Sequence, residues 1–89
     1  MAQVYWSDRA RETFDALPEA DQDAINERLL YVSEWPEIYP EVHDPPRWRR
    51  HRKFVIRRQW TVLYRIRPGS TAAEAQVYIV NIVPARSDY

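Results

Sequence analysis

Apolar residues recur with two different periods in this chain, and the change falls near residue 47. Val4-Tyr5-Trp6 is short, bulky and flanked by polar residues, which predicts a first strand. Ser7 is a suitable cap for a helix beginning at Asp8, in which Ala10, Phe14 and Leu17 recur at helical spacing. Pro18 interrupts that run and fits the first turn of a second helix. Glu19, Asp21 and Asp23 sit where the positive end of the helix dipole favours carboxylates. Ile25, Leu29 and Val32 make the inward stripe, and Trp35-Pro36 ends the helix. The first half is thus expected to form a helical hairpin with one apolar and one acidic face.

Residues 36–47 carry Pro36, Pro40, Pro45 and Pro46 and have no helical period, which predicts a stiff crossing loop inside one domain. From Trp48 the period is two. Over Trp48–Arg58, Phe54 and Ile56 share one face, which also takes Trp48, Arg50 and Arg52 if the strand runs that far, while Arg49, His51, Lys53, Val55 and Arg57 share the other. Over Trp60–Arg67, Val62, Tyr64 and Ile66 point one way and Thr61, Leu63, Arg65 and Arg67 the other. Arg58-Gln59 leaves room only for a tight hairpin, and Pro68-Gly69 with Ser70 and Thr71 marks the next turn. Gln76–Val83 is apolar on both faces, as a central strand should be, and Pro84 ends it before a short tail.

The expected fold is therefore α+β, in the order β-α-α-β-β-β. A small, mainly antiparallel sheet carries the helical hairpin on one face, in a single domain over residues 1–89. Two helices cover only one face. The uncovered face should then present Arg49, His51, Lys53, Arg57, Arg65 and Arg67 as one basic surface.

Composition adds constraints. At 89 residues and 45% apolar content, the chain lies above the roughly 70–80 residues below which a core needs staples. It has no cysteine, so disulfides and thiolate metal sites are excluded. The longest apolar run, Val77 to Val83, is far short of a membrane span, and the first residues lack the basic flank and apolar core of an export signal. A soluble cytoplasmic protein without membrane contact is the expectation. The formal net charge of zero conceals a strong polarity. Residues 1–46 hold three arginines against eleven carboxylates, a net of −8, and residues 47–89 hold nine arginines and Lys53 against Glu74 and Asp88, a net of +8. Either the halves neutralise one another across the fold, or the arginines form a working surface for phosphate, which their planar fork suits.

Cations interleaved with rings suit single-stranded nucleic acid, since cations follow phosphates and rings stack on bases. Trp60 and Tyr89 are the stacking candidates; Trp48 and Trp35 are expected beneath the proline-rich loop, and Trp6 in the core. His43 and His51 are the only histidines, without metal-ligand spacing, so no metal is expected. A neutral His51 could act as a general base, or it could be a bystander. The single glycine excludes a glycine-rich phosphate loop, and no serine or cysteine nucleophile motif is present. What remains is catalysis by positioning and by cationic stabilisation of a phosphorane, with the 2′-hydroxyl of RNA as nucleophile.

The element order, Val4-Tyr5-Trp6-Ser7 leading into Ala10, the Trp-Pro after the second helix, the run Trp60-Thr-Val-Leu-Tyr-Arg-Ile and the closing Val-Asn-Ile-Val-Pro-Ala-Arg together resemble the RelE/ParE superfamily of bacterial toxins. The resemblance covers essentially the whole chain. It implies a toxin silenced by a cognate antitoxin that wraps over it. Members similar to RelE and YoeB cleave mRNA, usually on the ribosome, by 2′-hydroxyl attack without a cofactor; ParE-like members inhibit DNA gyrase. YoeB-like chains end in Arg-x-His-Tyr, and this chain ends Arg86-Ser87-Asp88-Tyr89. The resemblance makes Arg86 a phosphate ligand and Tyr89 a stacking or proton-transfer group, while Asp88 replaces the branch's histidine. Thr61 stands where the superfamily's strand motif carries a functional arginine, so Arg65 or Arg57 would have to supply that charge. On this reading Arg57, Arg65, Arg86, Tyr89 and His51 form the catalytic set of an endoribonuclease, and Arg49, Lys53, Arg67 and Trp60 bind RNA. An inactive relative that only binds nucleic acid or its antitoxin is a further alternative.

Overall fold

The computed structural model describes residues 2–43, 46–67, 69 and 74–85. Strand β1 (Gln3–Trp6) leads through Ser7 into helix α1 (Asp8–Ala16). The Ser7 hydroxyl accepts from the Ala10 amide at 3.0 Å, satisfying one of the donors a helix start leaves open. Leu17 breaks the helix in extended conformation, and Pro18 stands just outside helix α2 (Glu19–Glu34), at its cap rather than in its first turn. Its missing N–H costs nothing at either place. Trp35 closes α2, its amide bonded to the Tyr31 carbonyl at 2.8 Å. Ala10, Phe14, Ile25, Leu29 and Val32 are buried, as the helical spacing predicts.

After a one-turn 3₁₀ segment (Pro46–Trp48) come strands β2 (Arg52–Ile56), β3 (Trp60–Arg67) and β4 (Gln76–Pro84). They form one four-stranded sheet in the order β1-β4-β3-β2. β2, β3 and β4 are an antiparallel meander, and β1 joins β4 in parallel, so the sheet is mixed. The expected α+β class, element order and helix-covered face are all present. The apolar Gln76–Pro84 run is internal to the sheet, between β1 and β3. Between β3 and β4 there is no space for a side chain at Gly69, where a Cβ would lie 2.8 Å from the Glu74 carbonyl oxygen.

The core fills the space between the hairpin and one sheet face: Phe54, Ile56, Val62, Tyr64, Val77, Ile79 and Ile82 against α1 and α2. Trp6 joins it through Phe14, the ring centroids 4.8 Å apart. Ile79 and Ile82 are three apart yet both face inward, because Leu63 pairs with Asn81 and Tyr64 with Ile79, leaving Val80 as a bulge. The described part of the crossing loop is tied down. Tyr64 donates its hydroxyl to the Pro36 carbonyl at 2.8 Å, Tyr39 packs on Phe54, and Glu41 bridges to Arg52. Among the described residues no helix is long and apolar enough to cross a membrane.

Three expectations need correction. The second strand begins at Arg52, four residues later than expected, because Pro46 starts a 3₁₀ turn and Arg50 adopts a φ of 67°. Arg49 and Arg50 therefore lie outside the pleat. Arg57 also leaves it: Arg57 and Arg58 have φ of 49° and 57°, the paired left-handed geometry that tight hairpins favour. Finally, Trp35 is not packed under the loop but is 64% exposed, whereas Trp48 is half-buried against His51, edge to face at 5.1 Å.

Candidate nucleic-acid interface on the open sheet face

Side chains alternate across the sheet, so Tyr5, Tyr78 and Arg65 share the face away from the helices. They also share a row: Tyr5 pairs with Tyr78, and Tyr78 with Arg65. Because Arg52 pairs with Tyr64, the preceding residue, His51, falls beside Arg65 and completes the row. The row crosses three strand spacings of ~4.8 Å, about 14 Å in all. The neighbouring row is Gln3, Gln76 and Arg67. At the β2 end these rows border an open hollow of about 280 Å³ lined by His51, Arg65, Ile66, Arg67, Tyr78 and Val80. The Val80 bulge contributes to the lining of this hollow.

His51 is held from several sides. Its amide bonds to the Trp48 carbonyl at 3.0 Å, and its carbonyl accepts from the Val42 amide at 2.7 Å. Nδ1 lies 3.1 Å from the Arg49 carbonyl oxygen. A carbonyl only accepts, so this contact places the proton on Nδ1 and leaves the lone pair of the neutral ring on Nε2. His51 is 8% exposed yet lines the hollow. Arg65 is exposed and joins no ion pair among the described residues. The Arg67 guanidinium lies over the Tyr78 ring at 5.8 Å, and Lys53 shares this face, half-buried. Among the described residues no carboxylate lines the hollow.

The other sequence-derived positions separate from this group. The left-handed turn carries Arg57 to the helix side, where its Nε lies 3.4 Å from an Asp21 carboxylate oxygen on α2. Trp60 is on that side too, donating its indole N–H to the other Asp21 oxygen at 3.2 Å. Trp60 is thus no open platform for a base. The alternation that places Val62 and Tyr64 inside also places Trp60 inside, so the signal was present in the sequence. Arg49 is exposed in the turn before β2 and contributes its carbonyl to His51. Arg86 and Tyr89 lie outside the described residues.

The open face is not uniformly basic. Thr61 and Leu63 are sealed from solvent although they point away from the helices, and Asn81 beside them is 9% exposed. Thr61 is therefore at a closed position. The cations gather instead at the far half of the face, around Arg65. Two tyrosines on the same row, Tyr5 and Tyr78, escaped the sequence reading; only the pairing of β1 with β4 aligns them with Arg65. The sequence matches no protein-family model and no curated protein.

Proposed function

We propose that this chain is a toxin of the RelE/ParE kind, an endoribonuclease that cleaves RNA in the hollow beside His51 and Arg65 and is silenced by a cognate antitoxin. The observation that carries this reading is the adjacency of His51 and Arg65 in a hollow whose described lining holds two arginines and no carboxylate. A phosphodiester placed there meets Arg65 and Arg67, and Lys53 lies on the same face towards a flanking phosphate. Nε2 of His51 accepts the proton of the adjacent 2′-hydroxyl; O2′ attacks phosphorus, the P–O5′ bond breaks, and O5′ leaves with a proton. The products are a 2′,3′-cyclic phosphate and a 5′-hydroxyl. Arginines aimed at the charge that grows on the phosphorane lower the barrier by electrostatic stabilisation. The resemblance gives the second proton transfer to Tyr89 and a further phosphate contact to Arg86. Of the two arginines able to compensate for Thr61, Arg65 is the one in reach, because Arg57 is engaged by Asp21 on the opposite side.

An antitoxin needs an apolar surface to cover. Leu30, Tyr31, Trp35 and Ile38 are large, exposed and close together in sequence along the end of α2 and the turn after it. Such side chains on a small domain favour a protein partner at the hairpin.

A ParE-like gyrase inhibitor is the second reading, and the sealed Thr61 favours it, since the superfamily's strand arginine is absent there without replacement at the same position. Pulse-labelling after brief induction in a bacterial host separates the two. Collapse of methionine incorporation, restored by Arg65→Ala, supports RNA cleavage at this hollow. Earlier failure of thymidine incorporation supports gyrase inhibition, and normal growth with accumulated protein contradicts both.

A further inference from the structure

Tyr5 and Tyr78 have no part in the cleavage chemistry, yet they continue the His51–Arg65 row to the far edge of the sheet. Tyr5 is 44% exposed on an edge strand, and Tyr78 lines the hollow itself. Neither ring is loosely held. The Tyr5 hydroxyl bonds to the Gln3 side-chain carbonyl, and the Arg67 guanidinium lies over the Tyr78 ring. Beside the rings, the next row supplies the amides of Gln3 and Gln76 on the same face. Amides carry both donors and acceptors, the complement a base edge requires.

We propose that Tyr78 and Tyr5 form a stacking platform for unpaired bases, so that single-stranded RNA enters with its phosphates along Lys53, Arg65 and Arg67 and its bases directed towards β1. The inference rests on the nucleic-acid reading of the hollow and adds to it the strand state of the substrate and its direction across the sheet. Bases in a duplex already stack on each other and offer no free face to a ring on the protein. Stacking on aromatic side chains tolerates any base, while the glutamines of the adjacent row provide the means for preference among bases. The row's length of about 14 Å leaves space for the two rings side by side, beyond the arginine.

The bland account of the tyrosines is that they are good strand formers, and the test is built around it. Valine keeps strand propensity but removes the ring, and phenylalanine keeps the ring. The probe is a fluorescein-labelled six-residue 2′-O-methyl oligouridylate, which cannot be cleaved by 2′-hydroxyl attack, compared with the same backbone lacking bases. Wild type is expected to bind the base-bearing probe more tightly than the abasic one. Tyr78→Val, and separately Tyr5→Val, should weaken binding of the base-bearing probe roughly 5- to 100-fold, leave the abasic probe nearly unchanged, and be rescued by Phe. If both valine variants, folded by circular dichroism, bind the base-bearing probe as wild type does, the platform is refuted. It is equally refuted if wild type binds both probes alike or prefers a duplex, although the phosphate-binding reading then survives. Wild type that binds neither probe overturns the nucleic-acid reading and the platform together. Tyr5, exposed on an edge strand, keeps the test decisive even if Tyr78→Val does not fold.

Discussion

The Asp21 carboxylate, 3% exposed on α2, accepts the indole N–H of Trp60 at 3.2 Å across 39 residues of chain. This bond ties the start of β3 to the start of the second helix, and the same carboxylate draws the Arg57 guanidinium to the helix side at 3.4 Å. One acidic residue, read from the sequence as complementing a helix dipole, thus engages two expected site residues, Arg57 and Trp60, on the helix side of the sheet.

Replacing Asp21 by alanine leaves the half-buried indole N–H without its acceptor and should cost about 1–3 kcal/mol of stability. Arg57→Ala removes only a half-exposed partner and should cost well under about 1 kcal/mol. Urea unfolding of the two variants measures the difference. Equal losses would mean that the ion pair, and not the indole bond, anchors the hairpin.

Ser7 serves two elements. It caps α1 and donates its hydroxyl to the carbonyl of Val80, the bulge residue that lines the hollow, at 2.6 Å. Ser7→Ala should lower stability by about 1–2 kcal/mol, the upper range for a lost cap. In a domain of this size each kcal/mol lowers Tm by roughly 4–8 °C. Thermal unfolding checks the size of the loss. Ser7→Gly should recover little of it, because glycine restores the cap's backbone geometry but not the bond to Val80.

Burial pushes the Tyr64 hydroxyl up from 10.0 to about 12, with the nearby Arg52 cation opposing the rise. The folded state thus holds this proton more tightly than the unfolded chain does. Its contribution is fully present below pH 10 and is lost as pH rises from 10 towards 12, because only the unfolded chain then gains by ionising. Denaturant unfolding across that range should show wild type losing stability with pH more steeply than Tyr64→Phe. At neutral pH the variant should be weaker by about 1 kcal/mol, for want of the bond to the Pro36 carbonyl. Parallel pH dependences would show that Tyr64 ionises as freely folded as unfolded.

Local signals placed most elements. Ser7 and Pro18 bracketed the first helix, Ile25, Leu29 and Val32 oriented the second, and the alternation over Trp60–Arg67 set a strand with those same bounds. What local pattern could not supply was pairing between distant segments. The parallel union of β1 with β4 brings Tyr5 and Tyr78 onto the Arg65 row, and a slip at Val80 turns Ile82 inward; neither leaves a mark on its own segment. Arg49 and Arg57 were misplaced because period-two reading was carried through positions where positive φ at Arg50 and at Arg57 ends the pleat. For His51, Lys53, Arg65 and Arg67, alternation alone indicated the open face.

The central claim, that His51 and Arg65 form an RNA-cleaving centre, is tested most directly with purified protein and a 5′-labelled single-stranded RNA, with and without ribosomes. Wild type should release fragments ending in a 2′,3′-cyclic phosphate. Arg65→Ala should slow cleavage about 10²–10³-fold, the typical cost of one preorganised charge stabiliser, and His51→Ala about 10²–10⁴-fold, that of a proton-transfer group. Arg57→Ala should cleave at close to the wild-type rate. No cleavage by wild type under either condition, or full cleavage by folded Arg65→Ala, would contradict the account.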